Sequence, residues 1–140
     1  MNVREYLESI RALDLSIEAK LRQEEMLRTR LTDTAAHIGG DAPRSSSPNK
    51  DKIGIVMAAI VDLQAERNAE IDRFVDMKAA IKDAVKSLPV DEKAFIESYY
   101  FSHKSIPYIT ATLHICRRSA YNLRDRAISH LEKVCTNCTL

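Results

Sequence analysis

The chain has no Trp, three Gly, four Pro and three Cys in 140 residues, and only 6% of it is aromatic. So little Gly and Pro leaves few of the tight turns that a multi-stranded sheet needs, and points to helix. Gly39 and Gly40 are adjacent, so no Gly-rich loop able to cradle a phosphate is present and no nucleotide cofactor is expected. An odd cysteine count, with Cys135 and Cys138 close together, gives no disulfide framework. Those two, with His130 and Cys116, supply half of a tetrahedral zinc site, but no second pair stands at ligand spacing and no metal is expected. His103, His114 and His130 lack a nucleophile with an orienting carboxylate, so neither a catalytic residue nor an enzyme is expected. No window approaches the roughly 18 uninterrupted apolar residues of a membrane span. The opening MNVREYLESIRALD is amphipathic rather than leader-like, which makes a cytoplasmic protein without membrane contact the expectation.

What is present is 45% hydrophobic and 29% charged, the composition of a folded chain long enough for one ordinary domain or two small modules. The net charge of +1 hides an asymmetry. Residues 1–100 hold 15 Lys+Arg against 18 Asp+Glu, whereas residues 101–140 hold 6 against 2. A basic segment on an acidic remainder calls for an anionic partner, with nucleic acid first among them.

Val3, Leu7, Ile10, Leu13, Ile17, Leu21, Leu27, Leu31, Ala35 and Ile38 recur at intervals of three and four, the mark of a helix with one apolar stripe. The stripe stops at Gly39-Gly40, and GGDAPRSSSPNK over 39–50 reads as a loop. The pattern resumes from Ile53 through Val56, Ile60, Leu63, Ile71, Phe74, Met77, Ile81 and Val85 to Leu88, with Asp51 as a helix cap. Two helices, about 2–38 and 51–87, of matching length predict an antiparallel hairpin over residues 1–88, each arm roughly 54 Å long at about 1.5 Å per residue. Folding at the loop pairs residues whose numbers sum to about 91, which sets the two polar interruptions of the stripes, Glu24 and Arg67, opposite each other as a register-fixing seam pair. A two-helix hairpin covers little of its own stripe, so a homo-oligomer, a dimer in the first instance, is expected.

Pro89 breaks the second helix and opens a separate module over 89–140. Asp91 is a candidate cap for a helix carrying Phe95, Ile96, Tyr99 and Tyr100, and the pattern breaks at 101–104. Ser105 caps a helix over 106–113, where Pro107 is tolerated in the first turn. A turn at His114-Ile115-Cys116 leads to a helix from Arg117 to about Val134. Two short helices across a three-residue turn predict a helix-turn-helix, held by Ile106, Ile109, Leu113, Ile115, Ala120 and Leu123. The front of the second helix then carries Arg117, Arg118, Tyr121 and Asn122. Arg suits guanine and Asn suits adenine in bidentate bonds, so these four are candidates for contact with the bases of double-stranded DNA. Lys104, Ser105, Arg124 and Arg126 lie at the edges and are candidates for phosphate contacts. A module of this shape can also serve as a protein-interaction adaptor that binds RNA polymerase or a host regulator without reading DNA.

The stretch from Asp91 to Val134, with SIPYITATLHICRRSAYNLRDRAISHLEKV at its centre, resembles region 4 of bacterial sigma factors and the sigma-like helix-turn-helix of phage regulators. With NVREYLESIRALD, PRSSSPNKDKIG and IVDLQAERNAEIDRFVDMKAAI included, the whole chain is similar to phage and prophage late-gene transcriptional regulators of the ArpU/RinA kind. The resemblance implies an all-helical DNA-binding activator with base contacts at Arg117, Arg118 and Tyr121. It also implies recruitment of RNA polymerase or its sigma factor to a late promoter in the bacterial cytoplasm. The family's usual Gly in the turn is His114 here, and the Ser or Thr that opens the recognition helix is Cys116, a weaker cap.

Overall fold

A computed structural model describes residues 2–38 and 48–137. Among them the chain is all-helical, in the order α1 (Val3–Ile38), α2 (Pro48–Lys86), α3 (Val90–Ile96), a π-helical turn (Glu97–Phe101), α4 (Ile106–Leu113) and α5 (Arg117–Asn137). The expected loop at 39–50 lies outside the described residues as far as position 47. Its last three residues are helical, because α2 starts at Pro48 and not at Asp51. Proline suits a first helical position, where its missing N–H has no partner to lose. Asp51 falls in the first turn instead, where a carboxylate meets the positive end of the helix.

The start of α1 is fixed by a reciprocal cap. Asn2 Oδ1 accepts from the Arg4 N–H at 3.2 Å, while the Glu5 carboxylate accepts from the Asn2 N–H at 3.3 Å. Asp91 does not cap α3. Pro89 occupies the cap with φ −53° and ψ 154°, its carbonyl accepts from Lys93 N–H at 2.9 Å, and no side chain completes it. The ring of Pro89 already fixes the entry angle, so Asp91 and Glu92 land inside the first turn. α5 continues three residues beyond the expected end, to Asn137.

The chain divides into two compact units. The first comprises Met1–Leu15 with Asp72–Leu140. Its core joins Leu7 and Ile10 of α1 and Ile81 and Val85 of α2 to Phe95, Ile96 and Tyr100, then to Ile109 of α4 and Ala120, Leu123, Ala127 and Leu131 of α5. The three aromatics of the α3 region pack on one another: Phe95 stacks on Tyr99 at 5.5 Å and Tyr99 meets Tyr100 edge-on at 4.9 Å. Burial pushes the Tyr100 phenol up to about 12. Polar contacts close the edges of the core. Tyr6 donates to the Met77 carbonyl at 2.9 Å, and buried Glu92 of α3 meets His130 Nδ1 of α5 at 2.6 Å.

The second unit is Ser16–Ile71, in which α1 and α2 run antiparallel. The register is read from its ion pairs: Lys20 with Glu70, and Glu24 with Arg67. Ile17, Ile60 and Glu24 are buried in this unit. Leu21 and Ile71, which the periodicity assigns to the apolar stripes, are 43% and 37% exposed. Two facing helices enclose a narrow line of side chains, and a stripe wider than that line overflows into solvent.

Candidate nucleic-acid interface

The geometry that presents α5 begins at the cap of α4. Ser105 Oγ accepts from the Tyr108 N–H at 3.4 Å, and a proline in the first turn extends that start. α4 ends at His114, which adopts left-handed φ 53° and ψ 44°. The His114 and Ile115 N–H groups both donate to the Thr110 carbonyl, the latter at 3.1 Å, so the final turn of α4 closes on itself. The reversal is thus built without glycine, by a residue that carries the strain of a left-handed backbone. The next helix opens from the Cys116 carbonyl, which accepts from Ala120 N–H at 3.0 Å. Cys116 Sγ lies 3.2 Å from Ser119 Oγ, and hydrogen bonds from the Ser119 hydroxyl, then from its backbone N–H, pull the thiol below its ordinary value.

Ala120, Leu123, Ala127 and Leu131 seat one face of α5 in the core, which turns the opposite face to solvent. Arg117, Arg118 and Asn122 are exposed on its first two turns, and Tyr121 is partly covered. Arg117 Nη2 donates to the Tyr121 hydroxyl at 3.4 Å, so this pair forms one flank of the helix. Arg118 and Asn122, four residues apart, share the front. Asn122 and Arg126 line a shallow depression there together with Ser119 and Asp125.

The edge residues differ among themselves. Lys104 and Ser105 are exposed just ahead of α4, with Lys104 Nζ 5.2 Å from the Tyr108 ring centroid. Arg126 is exposed. Arg124 is held: its guanidinium lies over the Tyr121 ring at 5.1 Å and donates to Asp125 at 3.2 Å. Asp125 also accepts from Arg4 Nη2 at 3.1 Å, a cation that α1 delivers to the surface of α5. Nothing in the spacing of α5 foretells Arg4, which lies 121 positions earlier in the chain.

The segment that carries Lys104 is anchored as well. Arg11 of α1 lies 4.0 Å over the Tyr99 ring and donates to the Tyr99 and Lys104 carbonyls, and Asp14 pairs with His103. His103 has φ 42°, so the chain leaves the π-helical turn through a second left-handed residue. Elsewhere, Arg67 bonds the Glu24 carboxylate, which also accepts from Arg28 at 2.7 Å and Gln64 at 2.8 Å. The bonds from Gln64 and Arg28, and then the charge of Arg67, hold Glu24 below the ordinary carboxylate value against the opposing effect of burial. Arg28 stands at i+4 from Glu24, the spacing of a helical ion pair, whereas Gln64 reaches it from the facing helix.

Among the described residues no group of three or more His, Cys, Asp and Glu could hold a metal ion, and no helix is long and apolar enough to cross a membrane. Cys138 lies outside the described residues, so the Cys135–Cys138 pair does too.

No family model and no solved structure matches this chain. It is 32% identical over 111 residues to the transcriptional activator rinA of Staphylococcus phage phi11, an alignment covering 79% of this chain and 72% of that protein. With that identity spread over most of both sequences, the chain belongs to the RinA family of phage transcriptional regulators.

Proposed function

We propose that this protein activates transcription by binding double-stranded DNA, with α4, the His114 turn and α5 acting as a sigma-like helix-turn-helix. In this reading residues 89–140 are the DNA-binding module and residues 1–88 form the hairpin that assembles it. The observation that carries the proposal is the two-sidedness of α5: one face is locked in the core while Arg117, Arg118 and Asn122 stand exposed on the other. A helix held in this way can enter a major groove without disturbing its own support.

Arg118 and Asn122 read bases from the front of α5, with Arg117 and Tyr121 on its flank. Lys104, Ser105, Arg124 and Arg126 meet phosphates and set the register. Arg124 does so only after exchanging its bond to Asp125 for a phosphate oxygen, which makes it the weakest of the four. The exposed Met26, Ile55, Met57 and Val61 of the Ser16–Ile71 unit support assembly into a dimer, which presents two recognition helices to a repeated site. The relative's role as an activator supports RNA polymerase or its sigma factor as the protein partner.

The test is a DNA pull-down from the phage genome with the full chain, followed by Arg118→Ala on the recovered site. Wild type should retain one discrete site at about 150 mM salt, and the variant should lose about 1–3 kcal/mol of specific binding. Equal retention of all sequences by both proteins would end the reading and favour an adaptor that does not read DNA.

A further inference from the structure

A groove built without α5 lies within the unit of Met1–Leu15 and Asp72–Leu140, where the last turns of α2 meet α3 and the π-helical turn. Its larger apolar side chains are Phe74, Val75, Val85 and Phe101. Val75 is 57% exposed, a large loss for an aliphatic side chain unless something covers it. Around them stand Lys78, Lys82 and Lys86 of α2 and Lys93 of α3, against the single carboxylate of Glu97. Lys78 Nζ lies 5.0 Å from the Phe74 ring centroid and 5.2 Å from that of Phe101, so cation and aromatic surface form one recognition patch. Lys86 pairs with Asp83 at 3.7 Å, but both are open to water and the pair holds the ammonium only weakly.

We propose that this groove docks an acidic amphipathic helix of a protein partner, leaving α5 free for DNA. The inference rests on the transcriptional reading above and gives the partner its chemistry. Lys78, Lys82 and Lys86 succeed one another every four residues, about 6 Å apart along α2. A second helix laid beside α2 repeats at the same interval, so carboxylates at i, i+4 and i+8 meet the three ammoniums in turn. Its neighbouring apolar face then covers Phe74, Val75 and Phe101, in the manner of helix-in-groove recognition. A DNA backbone could use the lysines but would leave the apolar floor in water.

The experiment uses the full chain and a fluorescent synthetic helix of about 14 residues, long enough to span the three lysines. The probe carries Glu at i, i+4 and i+8 and Leu and Phe on the adjoining face; a control peptide carries Lys in place of each Glu. Anisotropy should show saturable binding of the acidic probe, with the control weaker by about tenfold or more. The double variant K82E/K86E should lose binding by a similar factor, and Val75→Asp should lose it as well. Both variants should keep the wild-type melting temperature and the wild-type affinity and salt dependence for duplex DNA. Equal binding of probe and control, no binding of either, or full binding by Val75→Asp would overturn the proposal. So would a K82E/K86E protein that binds DNA less tightly and with a shallower salt slope, since the groove would then belong to the DNA footprint. Failure of the DNA reading appears instead in Arg118→Ala and leaves the peptide result standing.

Discussion

The two compact units use the same secondary structure to opposite ends. In the unit of Met1–Leu15 and Asp72–Leu140, short helices at several angles enclose a continuous apolar core and leave polar groups at its edges. In Ser16–Ile71 the emphasis differs: the Glu24 carboxylate is buried among its donors, while Met26, Ile55, Met57 and Val61 face solvent. Apolar burial is non-directional and insensitive to pH, so the first unit gains stability from volume and shape. A buried carboxylate with four donor bonds gains specificity of register instead, and its contribution varies with protonation and salt. On the function proposed above, the first arrangement suits a platform that holds α5 rigidly. On the same proposal, the second suits the surface of a dimer.

The widest separation between the units should come from deleting core volume. Phe95 is fully buried and stacked on Tyr99, in the core where α3 packs on α5. Phe95→Ala should cost about 3–5 kcal/mol, from lost transfer energy and the cavity left behind. Chemical denaturation followed by circular dichroism measures it. Amide exchange should accelerate across α3, α4 and α5 and change least at residues 16–34. Uniform acceleration along the whole chain would show that the two units unfold as one.

Glu24 tests the other unit. Folding holds its carboxyl below the ordinary value of 4.5, so the folded seam binds a proton less readily than the unfolded chain. The seam therefore contributes its full stability at neutral pH, begins to lose it as the pH falls past about 4.5, and has lost it below the folded value. Glu24→Gln should remove that acid-side dependence and lower the neutral-pH melting temperature. Amide exchange at residues 20–30 and 60–70 between pH 6 and 3 reads both effects. Parallel behaviour of wild type and variant over that range would show that the seam carries none of the pH dependence.

How far these differences could be read in advance follows the length scale of each interaction. The helices and the α4–α5 turn are written in local spacing: Ser105 before Pro107, and Ala120, Leu123, Ala127 and Leu131 at helical intervals. The opposition of Glu24 and Arg67 follows from counting along two rods of similar length. What spacing does not carry is which part of a long helix is covered. Leu7, Leu21 and Leu31 look alike in the periodicity, yet Leu7 is fully buried against the C-terminal helices and Leu21 is 43% exposed. The same holds for Arg4, Arg11 and Asp14, whose places beside Asp125, Tyr99 and His103 depend on α1 folding back against the last third of the chain. The Asn2–Glu5 cap, by contrast, is legible as a polar residue followed three positions later by Glu. The expected cap at Asp91 fails for the opposite reason: a strong capping residue two positions after a proline is outranked by the ring's fixed geometry.

The smallest expected effect bears on the turn itself. His114 is exposed, so its imidazole contributes little packing, while its φ of 53° is one that L side chains adopt at a cost. Glycine meets that backbone without steric penalty but gives the unfolded chain more freedom, and the two effects oppose each other. At a left-handed helix end the relief of strain should win narrowly, so His114→Gly should stabilise the protein by about 0.5–1 kcal/mol. The substitution leaves the hydrogen bonds to the Thr110 carbonyl intact, since both come from backbone N–H groups. The angle between α4 and α5 is therefore preserved, and DNA affinity should stay at the wild-type level while the denaturation midpoint rises. A loss of stability would mean that the imidazole makes a stabilising contact of its own, and that the helix reversal in this chain depends on histidine and not merely on a left-handed residue.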